Sequence, residues 1–295
     1  MMPSIVDALT QIHLDDLVNT FGWQNRPALA RLLRRLFIQP ARTFAHQMAG
    51  FDSTLGTHGL VEASRSTIRY YVQDLRVFGA DQIPASSFLA LSNHPGMADT
   101  LSLFAALNRP DLHVIALGRP FLDTMTNMSR QLFYLRDETA SRMAFVRQVS
   151  AHLRNGGAVL TFPAGRIEPD PAVHQGAVES LQTWTDSVGV FIRLSPETPI
   201  VPVLVRGVIW DKAAHHPLTY IKRTREEREK LAAALQMFGY MLWKIKSFKV
   251  RVQIGNPIHV KELGTTETQA IHHALLTEMK RLIENPPEGE GESIL

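Results

Sequence analysis

The sequence predicts an α/β protein: a mixed, largely parallel sheet flanked by helices and preceded by a small all-helical N-terminal region. Three observations carry this reading. The first 78 residues repeat their apolar side chains at helical spacing, short apolar runs alternate with helical stretches from Ile83 onward, and 45% apolar residues over 295 positions can build a sizeable core. Strand–helix alternation calls for a parallel or mixed sheet covered on both faces, with functional groups at the carboxyl ends of its strands.

The N-terminal region, 1–78, divides into three predicted helices. Ile5 to Thr20 carries Val6, Leu9, Ile12 and Leu17 and ends near Gly22. Arg26 to Met48 starts with Pro27 at a first helical position and sets Leu29, Leu32, Leu33, Leu36 and Phe37 against Arg31, Arg34 and Arg35, with Pro40 expected to break or restart it. This stretch holds five arginines and no acid, so it suits either a core-packed helix or one resting on an anionic membrane surface. A third helix is expected over Leu60 to Leu75.

In the 79–283 region, strands are expected at Phe88 to Leu91, His113 to Leu117, Gln131 to Arg136, Ala158 to Phe162, Ile200 to Val205 and Lys249 to Ile254. Helices are expected at Thr100 to Leu107, Glu138 to Arg154 and Val178 to Leu194. Thr224-x-x-Glu227 is a capping box opening a helix to about Trp243. Around it, Tyr220 to Arg251 counts nine Lys and Arg against three Glu, a basic stretch suited to an acidic carrier, a lipid surface or plain solvent. The tail, 284–295, has two prolines and four glutamates and is expected to be disordered.

Composition excludes several chemistries. With no cysteine there is no disulfide, thiolate zinc site or cysteine nucleophile, and no Gly-x-Ser-x-Gly elbow is present. A net charge of +3 without a recognition motif argues against nucleic acid. No apolar run approaches 18 residues, and Asp7, Asp15 and Asp16 stand where a secretion signal would be basic, so the chain is expected to be cytoplasmic and at most peripheral to the inner face of a membrane.

The chemistry concentrates in Ser92-Asn93-His94-Pro95-Gly96-Met97-Ala98-Asp99. Along a continuous helix, side chains five apart would point about 140° away from each other, so His94 and Asp99 can meet only if the chain turns between them. Pro95 and Gly96, with the glycine free to take positive φ, are expected to make that turn. A carboxylate on one imidazole nitrogen fixes the tautomer and raises the basicity of the other, which is what a general base needs. Composition alone yields roughly half a His-x4-Asp match by accident, so the frame of strand, turn and helix carries more weight than the spacing.

These residues resemble the first block, Asn-His-x4-Asp, of the glycerolipid acyltransferases of the PlsC type, and the resemblance extends from about Ile83 to Pro257. Leu132-Phe133-Tyr134-Leu135-Arg136 resembles the second block, where Arg136 would hold an anionic group. Leu160-Thr161-Phe162-Pro163-Ala164-Gly165-Arg166 resembles the third, normally Phe-Pro-Glu-Gly-Thr-Arg, and implies substrate contacts for Phe162, Pro163, Gly165 and Arg166. Ala164 stands where the family glutamate belongs, which argues against simple glycerol-3-phosphate as acceptor and looks more like the hemolysin-like and ornithine-lipid branch. Glu168 is a candidate for the displaced carboxylate, and Trp184 suits either that branch or a core position. Pro199-Ile200-Val201-Pro202-Val203 resembles the last block, its inner proline implying a strand edge, bulge or pocket wall.

The resemblance implies an acyltransferase moving a fatty acyl group from acyl-CoA or acyl carrier protein to a hydroxyl or amine of a glycerolipid or other polar lipid precursor. His94 would be the base and Asp99 its orienting partner, with no metal or bound cofactor. Two alternatives stay open: a thioesterase or lipid hydrolase using the same pair on water or Ser92, and a non-catalytic lipid-binding module.

Overall fold

A computed structural model describes residues 4–135, 139–243 and 248–295. The chain begins with α1 (Ile5–Phe21), α2 (Pro27–His58) and α3 (Leu60–Ile68), then enters the sheet through β1 (Val72–Phe78). β2 (Phe88–Ser92), α4 (Met97–Leu107), β3 (His113–Leu117), α5 (Pro120–Thr124), α6 (Thr126–Ser129), β4 (Leu132–Leu135), α7 (Thr139–Arg154) and β5 (Ala158–Thr161) follow. The second half carries α8 (Ala177–Ser180), α9 (Val188–Leu194), β6 (Ile200–Arg206), α10 (Asp211–Ala214), α11 (Arg225–Trp243), β7 (Phe248–Ile254), α12 (Val260–Leu263), α13 (Thr268–Glu284) and β8 (Glu292–Ser293).

The strands form one sheet in the order β4-β3-β5-β2-β6-β7-β1-β8. β4, β3, β5, β2 and β6 are mutually parallel, so their carboxyl ends share one edge, while β7 runs antiparallel to β6 and pairs in parallel with β1. Alternation along β2 divides the core in two. Phe88 and Ala90 pack with the layer built by α1 to α4, whereas Leu89 and Leu91 pack with α7, α9 and α13. All five residues of β2 are buried, as a strand covered on both faces requires.

The parallel sheet with helices on both faces matches the fold class read from the sequence. Several local expectations need correction. The helix expected over Leu60 to Leu75 stops at Ile68, and residues 72–78 of the supposedly all-helical region are the strand β1. A register shift between Val72 and Asp74 places the buried Val72 and Leu75 three residues apart, which imitates helical spacing. Pro40 does not interrupt α2; the carbonyl that loses its donor belongs to Leu36, on the solvent side of the helix. The leucine face of α2 is also split, with Leu33 buried but Leu32 and Leu36 53% and 62% exposed.

The helix expected over Val178 to Leu194 is broken between Thr183 and Val188, because Trp184 turns inward to a buried partner. The acidic tail is not wholly irregular: Arg76 and Val77 of β1 pair with Ser293 and Glu292 of β8, and Ile294 donates to the Leu75 carbonyl. Pro202 lies in a central strand, not at an edge. Strand pairing with β7 begins one residue later, at Val203; on that side Pro202 supplies only its carbonyl, which accepts from the Gly255 N–H at 2.8 Å, so the N–H it lacks is not called on by the ladder.

Candidate active site

β2 delivers the chain to the shared edge, and Asn93 takes over where the backbone ladder ends. Its side-chain amide donates to the Val205 carbonyl at 2.9 Å and accepts from the Val205 N–H at 2.8 Å, extending the β2–β6 pairing by one step. The chain then turns through Pro95 and Gly96 into α4. Gly96 has φ 163°, an extended conformation, so the turn does not use the left-handed freedom expected of it. What bends the chain is the start of α4 itself, whose third residue is Asp99.

Asp99 is fully buried, and one of its oxygens, Oδ2, accepts from both His94 Nδ1 at 2.8 Å and the Gly96 N–H at 2.9 Å. Its other oxygen accepts from the Thr100 hydroxyl at 2.9 Å. The carboxylate is thus fixed by three donors at a helix N-terminus, where negative charge is favoured. With Nδ1–H committed to Asp99, the lone pair of neutral His94 lies on Nε2, and the side chain is 29% exposed. Burial pulls the His94 pKa down, but the charge and hydrogen bond of Asp99 and the charge of Glu168 outweigh it, leaving the pKa above the ordinary 6.5.

From the neighbouring strand, β5, Phe162 sets its ring 4.5 Å from the imidazole. Pro163 is buried, and Gly165, with φ 62°, closes a turn by donating to the Phe162 carbonyl at 3.0 Å, a left-handed position that favours glycine. Ala164 packs against the apolar core of the α7–α13 face. Arg166 is exposed and has no ion-pair partner among the described residues. Arg136 lies outside the described residues.

Two further carboxylates organise this edge. Glu168, 1% exposed, accepts from the backbone N–H of His94 at 3.1 Å through one oxygen, and from Trp184 Nε1 at 2.7 Å and the Ser180 hydroxyl at 3.1 Å through the other. Its own N–H donates to the His94 carbonyl at 2.9 Å, so His94 is clamped from both sides of its backbone. Burial pushes the Glu168 carboxyl above its usual range, against the pull of those hydrogen bonds. Asp170, fully buried, gathers the N–H groups of Ala172, Gly207, Val208 and Ile209 and ties this loop to the end of β6.

The sequence reading singled out Glu168 only as a stand-in for the missing glutamate, and it passed over Asp170 and Arg119 altogether. Arg119 follows β3 on the same edge, is exposed, and carries a charge that acts on His94. The available signal was its place just after the end of a parallel strand. Ser92, by contrast, is fully buried and donates to the Asn93 carbonyl.

Residues 74–206 match the family model described as Acyltransferase. That segment belongs to the acyltransferase family. It covers most of β1 and everything from there to the end of β6, and it holds the His94–Asp99 pair. Among solved structures, the chain is similar to the crystal structure of the 1-acyl-sn-glycerophosphate (LPA) acyltransferase PlsC from Thermotoga maritima, at 17% identity over 96% of this chain and 98% of that one, with a TM-score of 0.45. No curated protein matches the chain. None of its helices, among the described residues, is long and apolar enough to cross a membrane.

Proposed function

We infer that the protein transfers a fatty acyl group from a thioester, acyl-CoA or acyl carrier protein, to a hydroxyl or amine of a glycerolipid or related polar lipid precursor. The observation that carries this is the 2.8 Å contact between His94 Nδ1 and the buried Asp99, which directs the basic Nε2 of a partly exposed ring outward at the edge of the sheet. Nε2 takes the acceptor proton as its oxygen or nitrogen attacks the thioester carbonyl. When the tetrahedral adduct collapses, the carbon–sulfur bond breaks and the imidazolium returns the proton to the thiolate. Asp99 holds the ring and stabilises its charged form.

Arg166 and Arg119, both exposed on this edge, suit the anionic groups of donor and acceptor, with Phe162 and the Pro163–Gly165 turn forming the wall beside the base. Arg136 is assigned the same kind of role on its position in the sequence alone. The arginine-rich outer side of α2, with Leu32 and Leu36 exposed among Arg31 and Arg35, suits peripheral contact with an anionic membrane on the cytoplasmic side.

Incubating the purified protein with acyl-CoA or acyl carrier protein thioesters and a panel of lysolipid and amine-bearing acceptors, with products read by mass spectrometry, tests the proposal. The wild type is expected to form acylated product, and His94→Ala to lower the rate by about 10²- to 10⁴-fold. Free fatty acid without acylated product would favour a hydrolase that activates water. Absence of turnover with every thioester, alongside retained lipid binding, would favour the non-catalytic module.

A further inference from the structure

We propose that the turn at residues 217–223 is a second membrane-docking element, which inserts Leu218, Tyr220 and Ile221 among anionic lipid headgroups. Pro217–Ile221 form a 3-10 turn between α10 and α11. Its apolar side chains are displayed outward: Leu218 is 46% exposed, Tyr220 59% and Ile221 73%. Ile221 is the most exposed of the large apolar residues among those described.

This display is built, not left over from a loose loop. Thr219, in the middle of the turn, is 1% exposed and anchors it by donating its hydroxyl to the His216 and Ala214 carbonyls. Arg228 of α11 lies 5.5 Å over the Tyr220 ring and donates its Nε–H to the Lys222 carbonyl at 2.9 Å. The polar residue faces inward and the apolar ones outward, the reverse of ordinary burial, so the turn is shaped for contact with something apolar.

The charges around it select the occupant. Lys222 and Arg223 follow directly, and Lys212 is exposed on α10. Among the acids whose side chains are described on the neighbouring elements, Asp211 pairs with His215, Glu227 accepts from Thr224, and Glu229 lies in the interior. An apolar tip fringed by cations fits an anionic lipid surface, where the chains enter the headgroup boundary and the cations meet phosphates.

The position fits as well. β6 is parallel to β2, Asp170 ties Gly207, Val208 and Ile209 to the loop that clamps His94, and the turn comes off this connection. The proposal deepens the reading of the protein as working at a lipid surface, but it places an insertion point outside α2, and the test separates the two.

The full-length protein is sedimented with vesicles of phosphatidylcholine mixed with phosphatidylglycerol, and with phosphatidylcholine vesicles alone. Leu218→Ser with Ile221→Ser is expected to lower partition to the mixed vesicles about tenfold or more. Lys222→Gln with Arg223→Gln is expected to lower it about fivefold per cation on mixed vesicles and to change nothing on neutral ones. Ile221→Trp, which no folding defect would imitate, is expected to tighten binding. Wild-type partition in both turn variants overturns the proposal. If only Leu32→Ser with Leu36→Ser abolishes partition, the lipid-surface reading stands and this proposal falls; if the wild type binds no vesicle, both fall. Loss of a concentration-dependent dimer in the serine variant, without loss of vesicle binding, would assign the turn to a second copy instead and also overturn it.

Discussion

The β2–α4 turn and the outer face of α2 invert the usual rule of burial in opposite ways. In the turn and the loop packed on it, the groups sealed from water are polar: Asn93, Asp99, Glu168 and Asp170 are all buried, and each is held by several hydrogen bonds. On α2 the groups left in water are apolar, Leu32 and Leu36, while Leu33 one step away is in the core. A buried charge is costly unless fully partnered, so the turn is rigid and intolerant of change. An exposed leucine costs the fold almost nothing, so the α2 face is free to serve contacts outside the molecule.

The largest effect is expected where that intolerance meets the chemistry. Asp99→Asn replaces the acceptor of the His94 Nδ1–H with an amide that can present the wrong group to the ring. Turnover with a thioester and any productive acceptor is expected to fall about 10³-fold, or about 4 kcal/mol of barrier, with little change in the thermal midpoint. A variant with near wild-type kcat would detach Asp99 from the mechanism.

Next comes Asn93→Ala, which removes both bonds to Val205 and strands a backbone N–H and C=O in the middle of the sheet. Denaturant unfolding is expected to register a loss of about 3 kcal/mol. A loss below about 1 kcal/mol would mean that the side-chain amide merely decorates the end of β2.

The two regions also differ in how far the sequence exposes them. His94 and Asp99 were legible because a short apolar strand, a Pro-Gly step and a helical run frame them, and strand–helix alternation is a local pattern. Glu168 was only half legible, because its meaning depends on Trp184 and Ser180, which approach it across a loop that no periodicity describes. β1 was misread for a similar reason: its bulge gives helical spacing, and only pairing with β7, some 170 residues later, makes it a strand. On α2, amphipathic spacing identified a leucine stripe but could not say which leucines find partners. That is decided by Leu17 and Val18 on another helix.

A smaller effect separates positioning from catalysis. The charge of Glu168 helps raise the His94 pKa above its ordinary value, so with His94 as the proposed base the rising limb of kcat/KM is expected at higher pH than a free imidazole would give. Glu168→Gln removes the charge and keeps an acceptor oxygen for one side only, the Trp184 and Ser180 donors or the His94 N–H, which Glu168 receives on different oxygens. The rising limb is then expected to move to lower pH, with kcat at high pH largely retained. The sign extends to stability. The stabilisation from a raised His94 pKa is complete below 6.5 and is lost as pH rises through the folded value, and Glu168→Gln diminishes that contribution. An unshifted profile would leave Glu168 a structural clamp only.

The smallest effect tests the other side of the comparison. Leu33 and Leu36 are one helical turn apart on α2, share the same helix propensity, and differ in surroundings: Leu33 is 2% exposed against Leu17 and Val18, and Leu36 is 62% exposed. Leu33→Ala is expected to cost about 2–4 kcal/mol in denaturant unfolding, the transfer of the lost methyl groups plus the cavity they leave. Leu36→Ser removes a larger polarity difference yet is expected to change stability by less than about 0.5 kcal/mol, because nothing packed is lost and only a small difference in helix propensity remains. If Leu36→Ser instead destabilised the protein as much as Leu33→Ala, the leucine would be buried against another surface in solution. The outer face of α2 would then already be occupied, by a second copy or by the chain itself, and would not be free for a lipid.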